Sequence, residues 1–275
     1  MNSNLNSDIV RTERVALFNG WGHHLFALTM IGLGVSGLVS GDFASVWQHI
    51  PIDNLPGRAF FAYATAAVEL ATGLGLLFRQ SVAISSRVLF VFLLLWLILL
   101  KVPAIFAAPS MEATWLGFGE IAVIAAGGWI LFATYNGKGR STFLVGRKGI
   151  RNARILFAIA LPMIGLSHFF YADETAKYVP AWLPFRHGWA YLTGAGSIAA
   201  CLGVLTGVFA RLAAALEAAM LVIITVLVWT PWLTPAPVTR MQITAFLISL
   251  AIACGAWIVA DSYRGTTWLA TRNYP

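Results

Sequence analysis

Charge is what this sequence has least of. Asp, Glu, Lys and Arg make up 11% of its 275 residues, while 59% are hydrophobic. Soluble domains carry about a quarter charged residues, so an ordinary water-soluble globule is excluded and nucleic-acid binding is not expected. Cysteine is nearly absent: Cys201 and Cys254 cannot build a disulfide framework. No CxxC is present, and both cysteines fall inside apolar runs, where inert packing is the expected role. Missing too are a phosphate-cradling glycine loop, HExxH, CxxCH and a nucleophile elbow, which removes the common nucleotide, zinc, haem and acyl-transfer signatures. No two histidines stand at matched depth, as an intramembrane haem would want. The polar stretch Met1–Gly20, with Asp8, Arg11, Glu13 and Arg14, lacks the layout of a cleavable signal peptide. The first apolar run is therefore expected to stay in the membrane as an anchor.

What is abundant is long apolar sequence. A helix needs about 20 apolar residues to cross the hydrocarbon core. Eight such windows occur, at roughly 22–41, 58–78, 84–107, 114–134, 152–171, 187–208, 211–230 and 240–260. The net charge of +7 concentrates between the fourth and fifth, where Lys138, Arg140, Arg147, Lys148, Arg151 and Arg154 occur with no acid among them. Arg79, Arg87, Arg211, Arg264 and Arg272 fall on the same side of an eight-span zigzag, whereas Asp42, Asp53, Glu112, Asp173 and Glu174 fall on the other, with fewer bases. The positive-inside rule then places both termini and the central linker in the cytoplasm. Anionic-lipid contact is the lesser reading of that linker.

The chain is also written twice. A shift of 128 sets Gly165-Leu166 on Gly37-Leu38, Leu183-Pro184 on Leu55-Pro56, Arg186 on Arg58 and Ala190-Tyr191 on Ala62-Tyr63. The same shift carries on without a gap to Pro231 on Pro103, Gly255 on Gly127 and Trp257-Ile258 on Trp129-Ile130. The expected fold is all-α: eight transmembrane helices as two four-helix repeats of the same orientation, because each repeat has an even number of spans. The divisions are a cytoplasmic segment 1–21, a first repeat 22–134, a basic linker 135–151, a second repeat 152–260 and an interfacial tail 261–275 holding Tyr263, Trp268 and Tyr274. Small residues spaced by four (Ala62 and Ala66, Ala71 and Gly75, Ala199 and Gly203) mark the second and sixth spans as close-packing helices.

Ionisable residues in these spans each need a reason, since a charge at mid-bilayer costs at least ~2.5 kcal/mol. Glu69 lies near the middle of the second span, with Thr65 and Thr72 on its face. It must be protonated, paired, or turned to a polar cavity. Glu120 and Lys101 fall at similar depth and are expected to form an ion pair; Glu217 is too poorly placed for Arg211 and needs another partner. His23-His24 open the first span as interfacial residues, and the connection Ser40–Gly57, with Trp47, His49, Pro51 and Pro56, suits an interface-lying turn. His168 ends the fifth span near the outer surface, on the side of Arg186 and His187. Tyr171, Tyr178, Trp182 and Trp189 surround it in sequence. Aromatic faces and a histidine suit a quinone head group, whose carbonyls accept hydrogen bonds and whose ring stacks.

The stretch Gly165–Leu216, with GLSHFF, the VPAWLP turn, WAYLTGAG and LGVLTGVFARLAAAL, resembles the DoxX/DoxD family of small membrane proteins. The family unit is a four-span bundle, and the resemblance extends weakly to the first repeat. A glutamate in the second span is frequent in the family. Glu69 matches it, while Ser197 replaces it in the second repeat. The polar residue ending the family's first span matches His168, but only Ser40 in the first repeat. The resemblance thus implies one asymmetric site using Glu69 and His168, with Tyr171, Trp182, Trp189 and His187 around a bound quinone. No covalent cofactor and no metal are expected. By the same resemblance, the chain would be the membrane subunit of a quinone-linked redox assembly, for sulfur-compound oxidation or oxidative-stress defence. Two other readings remain open: a proton-coupled transporter for a small or amphipathic molecule, using a continuous cavity between the halves and Glu69, and a non-catalytic scaffold with a dry interior.

Overall fold

A computed structural model describes residues 17–18, 20–44, 47–48, 56–137, 139–234 and 236–271. Asp8, Arg11, Glu13, Arg14, His49, Pro51, Asp53, Lys138, Arg272 and Tyr274 lie outside them. The described residues are helical and contain no strand. Eight helices are long and apolar enough to cross a membrane. They are α1 (Trp21–Ser40), α2 (Arg58–Leu76), α3 (Val82–Ala107), α4 (Glu112–Asn136), α5 (Gly146–Phe170), α7 (Arg186–Thr206), α8 (Ala210–Leu233) and α9 (Arg240–Asp261). A short α6 (Ala172–Tyr178) follows α5.

Local sequence explains the helix ends. Gly41 closes α1 with φ 65°, its N–H donating to the Gly37 carbonyl, the left-handed stop that glycine adopts without strain. Thr239 and Gln242 open α9 with a reciprocal capping box. The 128-residue shift is visible in the backbone as well, since it carries the starts of α2, α3 and α4 (58, 82, 112) onto those of α7, α8 and α9 (186, 210, 240). It also carries the π-helical turn Leu97–Lys101 of α3 onto Thr225–Trp229 of α8. Each turn is closed by an N–H bonded five residues back, Val102 to Leu97 and Thr230 to Thr225. A proline follows in each case, Pro103 and Pro231. Proline has no N–H to give and its ring crowds the carbonyl before it, so the widened turn absorbs the break.

The packing differs from two self-contained bundles of four consecutive spans. α1 packs on α2 and α9, α2 on α3, α3 on α4, α4 on α5 and α9, α5 on α7, α7 on α8, and α8 on α9. The result is two five-helix rings: α1, α2, α3, α4 and α9 form one, and α5, α7, α8, α9 and α4 form the other. α4 and α9 belong to both. Glycine makes that shared seam, because a Cβ on Gly127 would stand 2.7 Å from the Gly255 Cα. The α5–α7 contact is equally tight, a Cβ on Gly165 or Gly194 falling 2.7 Å from the other's carbonyl oxygen. In bilayers such close backbone approach replaces the hydrophobic drive that lipid removes. Cys201 and Cys254 are both free and buried. Cys201 sits on α7, whose partners are α5, α6 and α8, so the two thiols belong to helices that do not pack together.

Candidate functional site

The two rings have different interiors. In the first, the chain after α1 turns inward. Gln48 donates from Nε2 to Glu69 Oε1 at 2.6 Å and accepts the Ala44 N–H at 3.0 Å. Trp47 is buried with its ring 6.4 Å from that of Phe92 on α3. Asp42 holds the segment in place, pairing with Arg58 at 2.9 Å, while the Arg240 guanidinium donates to the Asp42 and Phe43 carbonyls at 2.6 and 2.7 Å. Glu69 is 2% exposed. It is a satisfied carboxyl beneath a plug, not a group on an open wall.

In the second ring the equivalent plug is missing. The 128-residue shift puts Thr175 where Trp47 stands, Ala176 where Gln48 stands and Phe170 where Asp42 stands. A cavity of about 730 Å³ occupies the space. Its walls come from α4 (Leu116, Glu120), α5 (Ser167, His168), α7 (Trp189, Thr193), α8 and α9. Tyr171, Thr175 and Tyr178 of α6 and its approach, with Pro180 and Trp182 of the following turn, cover one end. The volume lies within the range of small-molecule sites, and an apolar lining with a few polar groups is their usual chemistry.

Four of the six site residues expected from the sequence come together here: His168, Tyr171, Trp182 and Trp189. Glu69 and His187 do not line the cavity. Glu69 belongs to α2 in the other ring, so the joint Glu69–His168 site is not formed. His187 is exposed and pairs through Nε2 with Asp173 Oδ1 at 3.0 Å, outside the cavity. His168 Nδ1 lies 3.2 Å from Thr193 Oγ1. That hydroxyl also approaches the Trp189 and Ala190 carbonyls at 3.0 and 2.9 Å. When Thr193 donates to Nδ1, the imidazole proton sits on Nε2 and serves as a donor. Trp189 Nε1 donates to the Pro184 carbonyl at 2.9 Å, which fixes the indole at the rim, and Trp182 is 71% exposed beside it.

Sequence reasoning missed the acids of this site, Glu120 and Glu174. Glu120 borders the cavity; Lys101 is close enough to act on it electrostatically, as matched depth suggested, but the two make no direct ion pair, and the Lys101 amino group lies alongside Gly117, one turn before Glu120 on α4. Thr193 was also overlooked, though its place one turn beyond Trp189 was the available signal. Elsewhere, Glu217 accepts at Oε1 from the Ser197 hydroxyl at 2.9 Å, while its Oε2 is buried with no hydrogen-bond partner among the described residues. Ser197 is the residue that replaces the family glutamate, so the buried carboxyl of this half has moved from α7 to α8. His23 is buried instead of interfacial: its Nε2 lies 2.8 Å from the Leu76 carbonyl and its Nδ1 3.4 Å from the Tyr135 hydroxyl, joining α1, α2 and α4.

The profile of a domain of unknown function (DUF8561) matches residues 157–254. Neither the curated proteins nor the solved structures contain a match. The matched stretch runs from within α5 to within α9 and so includes every element around the cavity except α4.

Proposed function

We propose that this is a bilayer protein that binds a small amphipathic molecule in its second ring, a quinone-like ring with carbonyl oxygens being the chemistry that suits the site. The observation that carries the reading is the cavity itself, apolar and aromatic-walled, with the His168–Thr193 pair, Glu120 and Glu174 among its few polar groups. His168 Nε2–H would donate to a ligand carbonyl while Tyr171, Trp182 and Trp189 stack on the ring or line its path. The resemblance to the DoxX/DoxD proteins supports placing this binding in the membrane subunit of a redox assembly. The distribution of basic residues supports cytoplasmic termini, and the DoxX/DoxD resemblance supports a bacterial plasma membrane. Arg79, Arg87, Arg140, Arg147, Lys148, Arg151, Arg154, Arg211 and Arg264 lie at one set of helix ends, against the fewer bases Arg58, Lys177, Arg186 and Arg240 at the other, beside Asp42, Glu112, Asp173 and Glu174.

The transport reading asks for a cavity between the halves with Glu69 on its wall, and no observation favours it. A scaffold fits the first ring, where Gln48 and Trp47 fill the space beside Glu69, but not the cavity of the second. The test is extraction of protein purified gently from its native membrane, with bound molecules identified by mass spectrometry. Co-purifying quinone that is lost in His168→Ala is the expected result. Bulk phospholipid alone, unchanged by that substitution, would overturn the reading.

A further inference from the structure

A second cavity, of about 610 Å³, lies at the opposite helix ends from α6, between the start of α5 and the ends of α4 and α9. Its charged lining is Arg147, Lys148, Arg151, Arg154, Arg264 and Asp261, five cations against one carboxylate. Leu17, Ile130 and Ile150 supply apolar wall. Arg147, Arg151 and Arg154 follow at spacings of four and three, one face of α5. Two of the cations are already committed to the protein. Arg154 donates to Ser262 through Nε at 2.9 Å and lies over the Tyr263 ring at 3.7 Å, and Arg264 pairs with Asp261 at 2.9 Å. The side chains of Arg147, Lys148 and Arg151 make no hydrogen bond or ion pair with another described residue.

We propose that this cavity binds a phosphate ester. A carboxylate would be served by one guanidinium fork. Three cations without partners among the described residues, beside two fixed ones, match a group with several anionic oxygens. The apolar wall beside them suits the glycerol and first methylenes of an anionic phospholipid, and basic pockets between transmembrane helices are known to take such head groups. A soluble phosphate ester would offer the same anionic oxygens. This site is independent of the aromatic cavity and of what binds there.

The full-length protein in nanodiscs of phosphatidylcholine with a minor fraction of phosphatidylglycerol tests it by native mass spectrometry. The wild type should retain phosphatidylglycerol about tenfold above its share of the bilayer. The combined variant Arg147→Gln, Lys148→Gln, Arg151→Gln should retain it at its bulk share. Because those charges also set topology, a second variant restores them elsewhere with Asn2→Arg, Asn4→Arg and Asn6→Arg and should behave like the first. Absence of lipid enrichment together with a thermal shift on adding inorganic phosphate in phosphatidylcholine alone would assign the site to a soluble phosphate ester. Neither enrichment nor shift, or equal enrichment in the variants, would overturn the proposal.

Discussion

Gly127 on α4 and Gly255 on α9 meet at the centre of the molecule, 128 residues apart in sequence, with no room for a side chain between them. A Cβ on the first would lie 2.7 Å from the Cα of the second, and one on Gly255 would lie 2.9 Å from the Val123 carbonyl oxygen. Both rings close on this seam. Gly127→Ala should therefore cost about 1–3 kcal/mol, the range for overpacking a tight contact. Gly188→Ala, whose Cβ would meet nothing nearer than 3.6 Å, should stay within about 0.5 kcal/mol of the wild type. Reversible unfolding in mixed micelles compares them, and equal stability of the two variants would remove the seam from its organising role.

The Gln48–Glu69 bond makes a separate claim, that the first ring is structural. Glu69→Gln keeps an acceptor for the Gln48 amide and should change stability by less than about 1 kcal/mol. Gln48→Leu leaves the buried carboxyl without its donor and should cost about 1–3 kcal/mol. Neither should alter ligand retained in the second ring. Loss of ligand in Glu69→Gln at unchanged stability would instead restore Glu69 to the site.

Tyr263 offers a test by removal of one atom. Its hydroxyl is buried with no hydrogen-bond partner among the described residues, while its ring carries the Arg154 guanidinium. Tyr263→Phe should be neutral or stabilising by up to about 1 kcal/mol, and Tyr263→Ala should lose the stacking as well as the packing. Burial pushes the Tyr263 phenol up, opposed in part by Arg154. The unfolded chain therefore gives up this proton first as pH rises. The contribution to stability is whole below the ordinary tyrosine value of about 10 and declines as pH climbs through the higher folded value. Denaturant midpoints across alkaline pH should show a steeper decline for the wild type than for Tyr263→Phe. Parallel declines would contradict the assignment.

The spans were legible because bilayer thickness sets a minimum apolar length. The shift of 128 was legible too, down to Pro103 and Pro231. Which helices pack together was not. Gly127 and Gly255 stood out only as a matched pair, and nothing in the sequence said that they touch. Glu69 shows the same limit at the site: its depth was readable, but not that Gln48, twenty-one residues earlier, folds back to bond it. His168, Tyr171, Trp182 and Trp189 were found because they cluster in sequence, whereas Glu120 reaches the same cavity from another helix. The substitution of Thr175 for Trp47 was present in the alignment of the halves. Its meaning needed the plug to be seen.

That substitution carries the most direct test of the division between a filled ring and an open one. Thr175→Trp would place in the second ring the side chain that fills the first. Ligand recovered per mole of purified protein is the quantity to measure, alongside the unfolding midpoint. The account predicts that bound ligand falls about tenfold or more, a loss of roughly 1.4 kcal/mol or more, while the midpoint holds or rises. Full ligand occupancy in a well-folded Thr175→Trp protein would contradict it.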